Sequence, residues 1–116
     1  MPFDQYEVEF DSLLNQAIDF AGMAGDVVVV SIPDYGVTPF GSSNVEIIAE
    51  ELDMYNDYAM QRCQERGIPF VDVTTVSRML GSSSGALTFD NLHPSGYQYS
   101  LWVNEILPVV ETLLSE

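Results

Sequence analysis

Lysine is missing from this chain, and arginine occurs only at Arg62, Arg66 and Arg78, against eighteen aspartates and glutamates. The net charge of −15 weighs against duplex nucleic acid and anionic membrane as partners, because holding phosphates requires clusters of Lys and Arg. Cysteine and histidine occur once each. A single Cys63 excludes an internal disulfide and leaves the redox compartment open. It falls on the apolar stripe of an expected helix, where it reads as a small buried hydrophobe rather than a nucleophile. Long apolar runs are also missing. The longest, "VVVVSI", is far too short to span a bilayer, so no membrane span is expected. The opening "MPFDQYEVEFD" has acids where an export signal needs a basic start, so no signal peptide is expected and localisation is left open.

What is present describes a small globular protein. The 116 residues set a limit of one domain, and a hydrophobic fraction of 47% supports a packed core. The acidity itself has three readings: a solvated surface screened by cations, attraction of a basic partner, or mimicry of nucleic acid.

Periodicity lays out the elements. Tyr6, Phe10, Leu13, Leu14, Ala17 and Ala21 recur at helical steps, with Asp4 and Glu7 as an N-terminal capping pair and Gly22 past the end. Val27 to Ile32 is an unbroken, mostly β-branched run stopped by Pro33, the pattern of a strand covered on both faces in a parallel sheet. "PDYGVTPFGS" is a loop. Ser43 with Glu46 forms a capping-box pattern ahead of a helix carrying Val45, Ile48, Leu52, Tyr55, Ala59 and Cys63, ended by Gly67. "IPFVDV" is a second short strand, which completes one βαβ unit. A weak helical turn near Val76 to Leu80 and a Ser/Gly-rich loop follow. A final helix starts at about Ser95, with a kink or break expected at Pro108. Two strands leave an unpaired edge on residues 27 to 32, through which the chain could form a homodimer.

The one histidine lies in "LTFDNLHPSG". Pro94 disfavours helical backbone at His93 and sets the imidazole in an extended segment before the last helix. Asp90 can fold back across that turn and accept a hydrogen bond from a ring N–H, which fixes the tautomer and leaves the other nitrogen as a base. No second His or Cys stands near, so neither a metal nor a cofactor site is expected.

Three segments, "VVVVSIPDYGVTPF", "GIPFVDVTTVSR" and "DNLHPSGYQYSLWVNEILP", occur in the order and at about the spacing of the SGNH hydrolases, also called the GDSL esterase/lipase family, which the chain resembles over essentially its whole length. The resemblance implies an α/β fold. It would be a partial three-layer α/β/α, flavodoxin-like arrangement with about two parallel strands and three main helices over residues 1–116. It implies that Asp90 orients His93, and that His93 activates a serine to cleave carboxylic esters. The family's Gly-Asp-Ser block, which supplies that serine, and its Gly-x-Asn-Asp block, which helps build the oxyanion hole, are both absent here. The chain is therefore expected to be the C-terminal half of such an enzyme, acting on an ester only when complemented.

A local substitute is not expected. Gly81-Ser82-Ser83-Ser84-Gly85 fits the pattern G-x-S-x-G, yet a nucleophile elbow needs a buried strand before its serine and a helix after it, and Ser83 has neither. The loop after the first strand leaves the end of the sheet where α/β enzymes bind ligands, so Asp34, Tyr35 and Phe40 are candidate substrate-binding residues, or else ordinary loop packing. The alternative to a hydrolase fragment is a non-catalytic acidic module that covers its open strand edge with a second copy or a protein partner.

Overall fold

A computed structural model describes residues 1–115. Three long helices, one short helix and a two-stranded parallel sheet follow in the order α1 (Phe3–Ala21), β1 (Val29–Val30), α2 (Val45–Arg66), β2 (Phe70–Val71), α3 (Thr74–Leu80) and α4 (Gly96–Leu114). The sheet pairs Val29 with Phe70 and Val30 with Val71. The fold is thus a partial α/β arrangement. Helix α1 packs on α2, α3 packs on α4, and both α2 and α4 touch β2.

The core forms where the apolar stripes of α1 and α2 meet the sheet. Leu14, Val27, Cys63 and Ile68 are buried together, with Phe10, Ala17, Ile18, Val29 and Phe70 packed around them. Cys63 is fully buried, and burial pushes its thiol pKa up. Farther along the α1–α2 seam the rings of Tyr6 and Tyr55 stack with centroids 4.5 Å apart, and Phe10 meets Tyr58 edge-on at 6.0 Å. Aromatic pairs of this kind add roughly 0.5–1.5 kcal/mol beyond the area they bury.

The three arginines sit at joints between elements. Arg62 donates to Asp11 at 2.9 Å and Arg66 to Asn15 at 3.0 Å, both tying α2 to α1. Arg78 joins α3 to Asp34 at 2.9 Å and to Asp53 of α2 at 2.9 Å.

Helix ends are partly as expected. Gly22 and Gly67 close α1 and α2 in the left-handed region, at φ 94° and 69°. Neither expected capping pair forms. Helix α1 starts earlier, with the Pro2 carbonyl accepting from Tyr6 N–H at 3.0 Å, so Asp4 falls inside the first turn, where its charge faces the helix dipole. Helix α2 starts after Asn44, whose N–H closes a turn onto Gly41 O at 3.0 Å; Ser43 is one residue short of the capping position.

Two further differences concern the strand and the last helix. Only Val29 and Val30 of the run 27 to 32 pair as strand, and Val30 is 38% exposed, so this chain does not cover the run on both faces. Helix α4 continues through Pro108 without a break. Pro108 and Asn104 are both exposed, so the Asn104 carbonyl that loses its helical partner turns to water. Among the described residues no helix is long and apolar enough to cross a membrane.

Candidate active site

A tight loop carries Asp90 and His93 between α3 and α4. Leu87 and Pro94 form an antiparallel bridge, with Thr88 N–H donating to His93 O at 2.9 Å and Ser95 N–H to Ala86 O at 3.0 Å. This holds His93 in extended backbone, as expected for a residue before proline. Between the two arms Asn91 takes φ 59°, a left-handed conformation that Asn tolerates better than most side chains. Ser95 then caps α4: its hydroxyl accepts from Gln98 N–H at 3.2 Å and donates to Gly85 O at 2.6 Å.

The Asp90 carboxylate sits at the centre of this turn. Its Oδ1 accepts from Thr88 Oγ1 at 2.6 Å and from the N–H groups of Leu92 and His93, each at 3.0 Å. Its Oδ2 is hydrogen-bonded to His93 Nδ1. These bonds, led by the Thr88 hydroxyl and the imidazole, hold the carboxyl well below the usual carboxylate range. An ionised Asp90 requires Nδ1 to carry a proton, so in the neutral imidazole it is Nε2 that has the free lone pair. Nε2 makes no hydrogen bond among the described residues. The His93 side chain is 67% exposed, so the ring stands at a rim with its basic nitrogen accessible.

That rim opens on a cavity of about 430 Å³. The loop after β1 forms one wall through Ile32, Pro33, Tyr35 and Phe40, and the His93 segment forms another through Leu92 and Pro94. Asp34, Tyr35, Phe40 and His93, separated by up to 59 positions in sequence, therefore border one space. Asp90 is not among the lining residues; it stands behind the imidazole.

Asp34 is buried to 3% exposure and shapes the wall. Its Oδ1 accepts from Gly36 N–H at 2.8 Å and its Oδ2 from Arg78 Nε at 2.9 Å, while its own N–H donates to Ser77 Oγ at 2.9 Å. Gly41 is required in the same loop, because a Cβ there would come within 2.6 Å of Gly36 Cα and Tyr35 O. Tyr35 and Phe40 are exposed at the mouth.

A second polar cluster fixes where the wall begins. Asn56 Oδ1 accepts from Ile32 N–H at 2.9 Å, and its Nδ2 donates to Ile32 O at 3.3 Å and to Thr74 Oγ1 at 3.1 Å. Ser31 Oγ accepts from Val73 N–H at 2.9 Å and Thr74 N–H at 3.1 Å. Sequence reasoning missed Thr88, Arg78, Asn56 and Gln98, since each acts through a partner distant in sequence or through a local bond that no periodicity marks. Ser83 does not border the cavity. No group of three or more His, Cys, Asp or Glu among the described residues is placed to hold a metal ion.

Residues 2–106 match the family model of the GDSL-like lipases/acylhydrolases. The chain belongs to that family. No curated protein and no solved structure matches it.

Proposed function

We propose that Asp90 and His93 are the acid and base of a Ser-His-Asp triad that hydrolyses carboxylic esters, with the serine supplied from outside residues 1–116. The observation that carries this reading is the hydrogen bond from His93 Nδ1 to an ionised Asp90, which leaves Nε2 free at the rim of an apolar cavity. In the first half-reaction Nε2 takes the serine proton as the hydroxyl attacks the ester carbonyl, and returns it to the departing alcohol. In the second it takes a proton from water, the hydroxide releases the acid, and the serine recovers its proton. Asp90 stays ionised throughout and stabilises the imidazolium.

Magnitudes set what residues 1–116 can do unaided. A positioned base contributes roughly 10²–10⁴-fold, whereas losing the serine of a triad costs about 10⁶, and each missing oxyanion donor a further 10²–10³ or so. Esterase turnover by this chain alone should therefore be close to background. Supplying a family half with a Gly-Asp-Ser and a Gly-x-Asn-Asp block should restore hydrolysis of a simple aryl ester, and His93→Ala should abolish it. Full turnover by the His93→Ala complex would refute the assignment.

A second reading rests on the exposed Val30 and the outer edge of β1: the Val29 and Ser31 N–H groups bond toward the β2 segment, so the alternate N–H groups of Val28 and Val30 face the other way, where no strand pairs with them among the described residues. An unpaired strand edge is a template for association, so a homodimer through residues 27 to 32 or a protein partner would cover it. Sedimentation of a lone, well-folded monomer would count against it.

A further inference from the structure

Most polar side chains around the cavity beside His93 have their partners inside the fold. Asp34 is held by Gly36 and Arg78. Ser77 Oγ accepts from Asp34 N–H and donates to Thr74 O at 2.6 Å, and Thr38 Oγ1 donates to Tyr35 O at 2.6 Å. Gln98 differs. It stands in the first turn of α4, is only 2% exposed, and lines the cavity. Its Nε2 donates to Ala86 O at 2.9 Å. That carbonyl fixes which way the amide points, because the reversed amide would set two oxygens against each other. Oε1 is therefore the acceptor end of a residue that lines the cavity, and it receives no hydrogen bond among the described residues.

The oxygen is not sealed off: among the described residues the fully buried side-chain polar atom without a partner is Trp102 Nε1, so Oε1 keeps some accessible surface and is open to a donor that enters beside it. Ile32, Pro33, Leu87, Leu92 and Pro94 of the lining carry no side-chain donor, the Thr38 and Ser77 hydroxyls donate to backbone carbonyls, and none of the lining side chains donates to Oε1. We propose that Gln98 is a specificity residue of this site, accepting a hydrogen bond from a hydroxyl on an otherwise hydrocarbon, uncharged acyl or alcohol group of an ester lodged in the cavity; this rests on the ester-hydrolase reading above. A hydroxyl fits better than a larger polar group because it adds one donor and little else that needs a partner in an apolar space. A carboxylate is excluded, since it would bring acceptors against Oε1 in a chain already at −15. Sites that bind a substrate hydroxyl through a buried group discriminate against the analogue lacking it, because the group is then left unpaired.

The test is a titration of this chain with ethyl butyrate and with ethyl 3-hydroxybutyrate, followed by the imidazole proton signals of His93. It is the only histidine in the sequence, so its signals need no assignment. The hydroxylated ester should bind about two- to tenfold more tightly, the span of one net hydrogen bond. Gln98→Leu, verified as folded by circular dichroism, should remove that preference while still binding ethyl butyrate. If the leucine variant does not fold, the comparison of the two esters on the unaltered chain decides. Equal affinity for both, or a preference that survives Gln98→Leu, overturns the role of Gln98 and leaves the hydrolase reading standing. Failure of both esters to perturb His93 overturns the cavity as an ester site, and the inference with it.

Discussion

The Thr88 hydroxyl donates to Asp90 Oδ1 at 2.6 Å, on the same oxygen that receives the His93 backbone N–H at 3.0 Å, while the other carboxylate oxygen holds His93 Nδ1. Asp90 is thus fixed from both sides, and the imidazole inherits its orientation from that fixation. A carboxylate held by several donors takes up its proton later than an ordinary one as the solution is acidified.

The first prediction concerns that titration. Because the folded-state pKa of Asp90 is depressed, its contribution to stability is complete above the ordinary aspartate value of about 3.9 and is lost only as pH falls through the lower folded value. Carbon-detected NMR of the Asp90 carboxyl should show it still ionised where exposed aspartates have protonated. Thr88→Val should move its midpoint upward and Thr88→Ser should leave it low. A midpoint at the ordinary value in the unaltered protein would contradict the bonding described.

Asn56 offers a test of how the cavity wall is anchored. Its amide closes both backbone groups of Ile32, and Ile32 lines the cavity. Asn56→Ala leaves the Ile32 N–H without its partner, while the carbonyl keeps the Thr74 hydroxyl at 2.6 Å, at a cost of about 1–3 kcal/mol. For a domain of this size each kcal/mol lowers the melting temperature by roughly 4–8 °C. Thermal denaturation of Asn56→Ala within a degree of the unaltered chain would show that the amide is not a structural tie.

Salt should stabilise this protein. Its three arginines are engaged at joints between elements, so the remaining surface charge is acidic and repels itself. Added salt weakens the ion pairs of Arg62 and Arg78, which are exposed enough that each contributes little. It also screens repulsion among eighteen carboxylates, beyond a distance of about 10 Å at 0.1 M. The second effect involves many more charge pairs. Melting temperature should therefore rise with sodium chloride, and a fall would mean that the arginine pairs dominate.

Much of this arrangement is legible in the sequence where a single local rule governs. The stripes of α1, α2 and α4, the stops at Gly22 and Gly67, and the extended His93 before Pro94 follow from periodicity and backbone restriction. The hydrogen bond between Asp90 and His93 follows from a three-residue turn. Helix starts were less legible, because Pro2 and Asn44 set them through backbone bonds rather than through the side chains of Asp4 or Ser43. The short pairing of β1 was hidden, since a β-branched run reports burial preference but not how much of it finds a partner strand. Pro108 was misleading, because its helical cost depends on whether the Asn104 carbonyl faces water. Asp34 is legible as a cavity residue, but its bond to Arg78 spans 44 positions and has no local signature.

The most direct measurement is ester turnover by this chain combined with a family half bearing the Gly-Asp-Ser and Gly-x-Asn-Asp blocks, compared between the unaltered chain, Asp90→Asn and His93→Ala. Turnover is expected with the unaltered chain, a fall on the order of 10⁴-fold for Asp90→Asn, and background for His93→Ala. Turnover indifferent to His93 would contradict its role as the base.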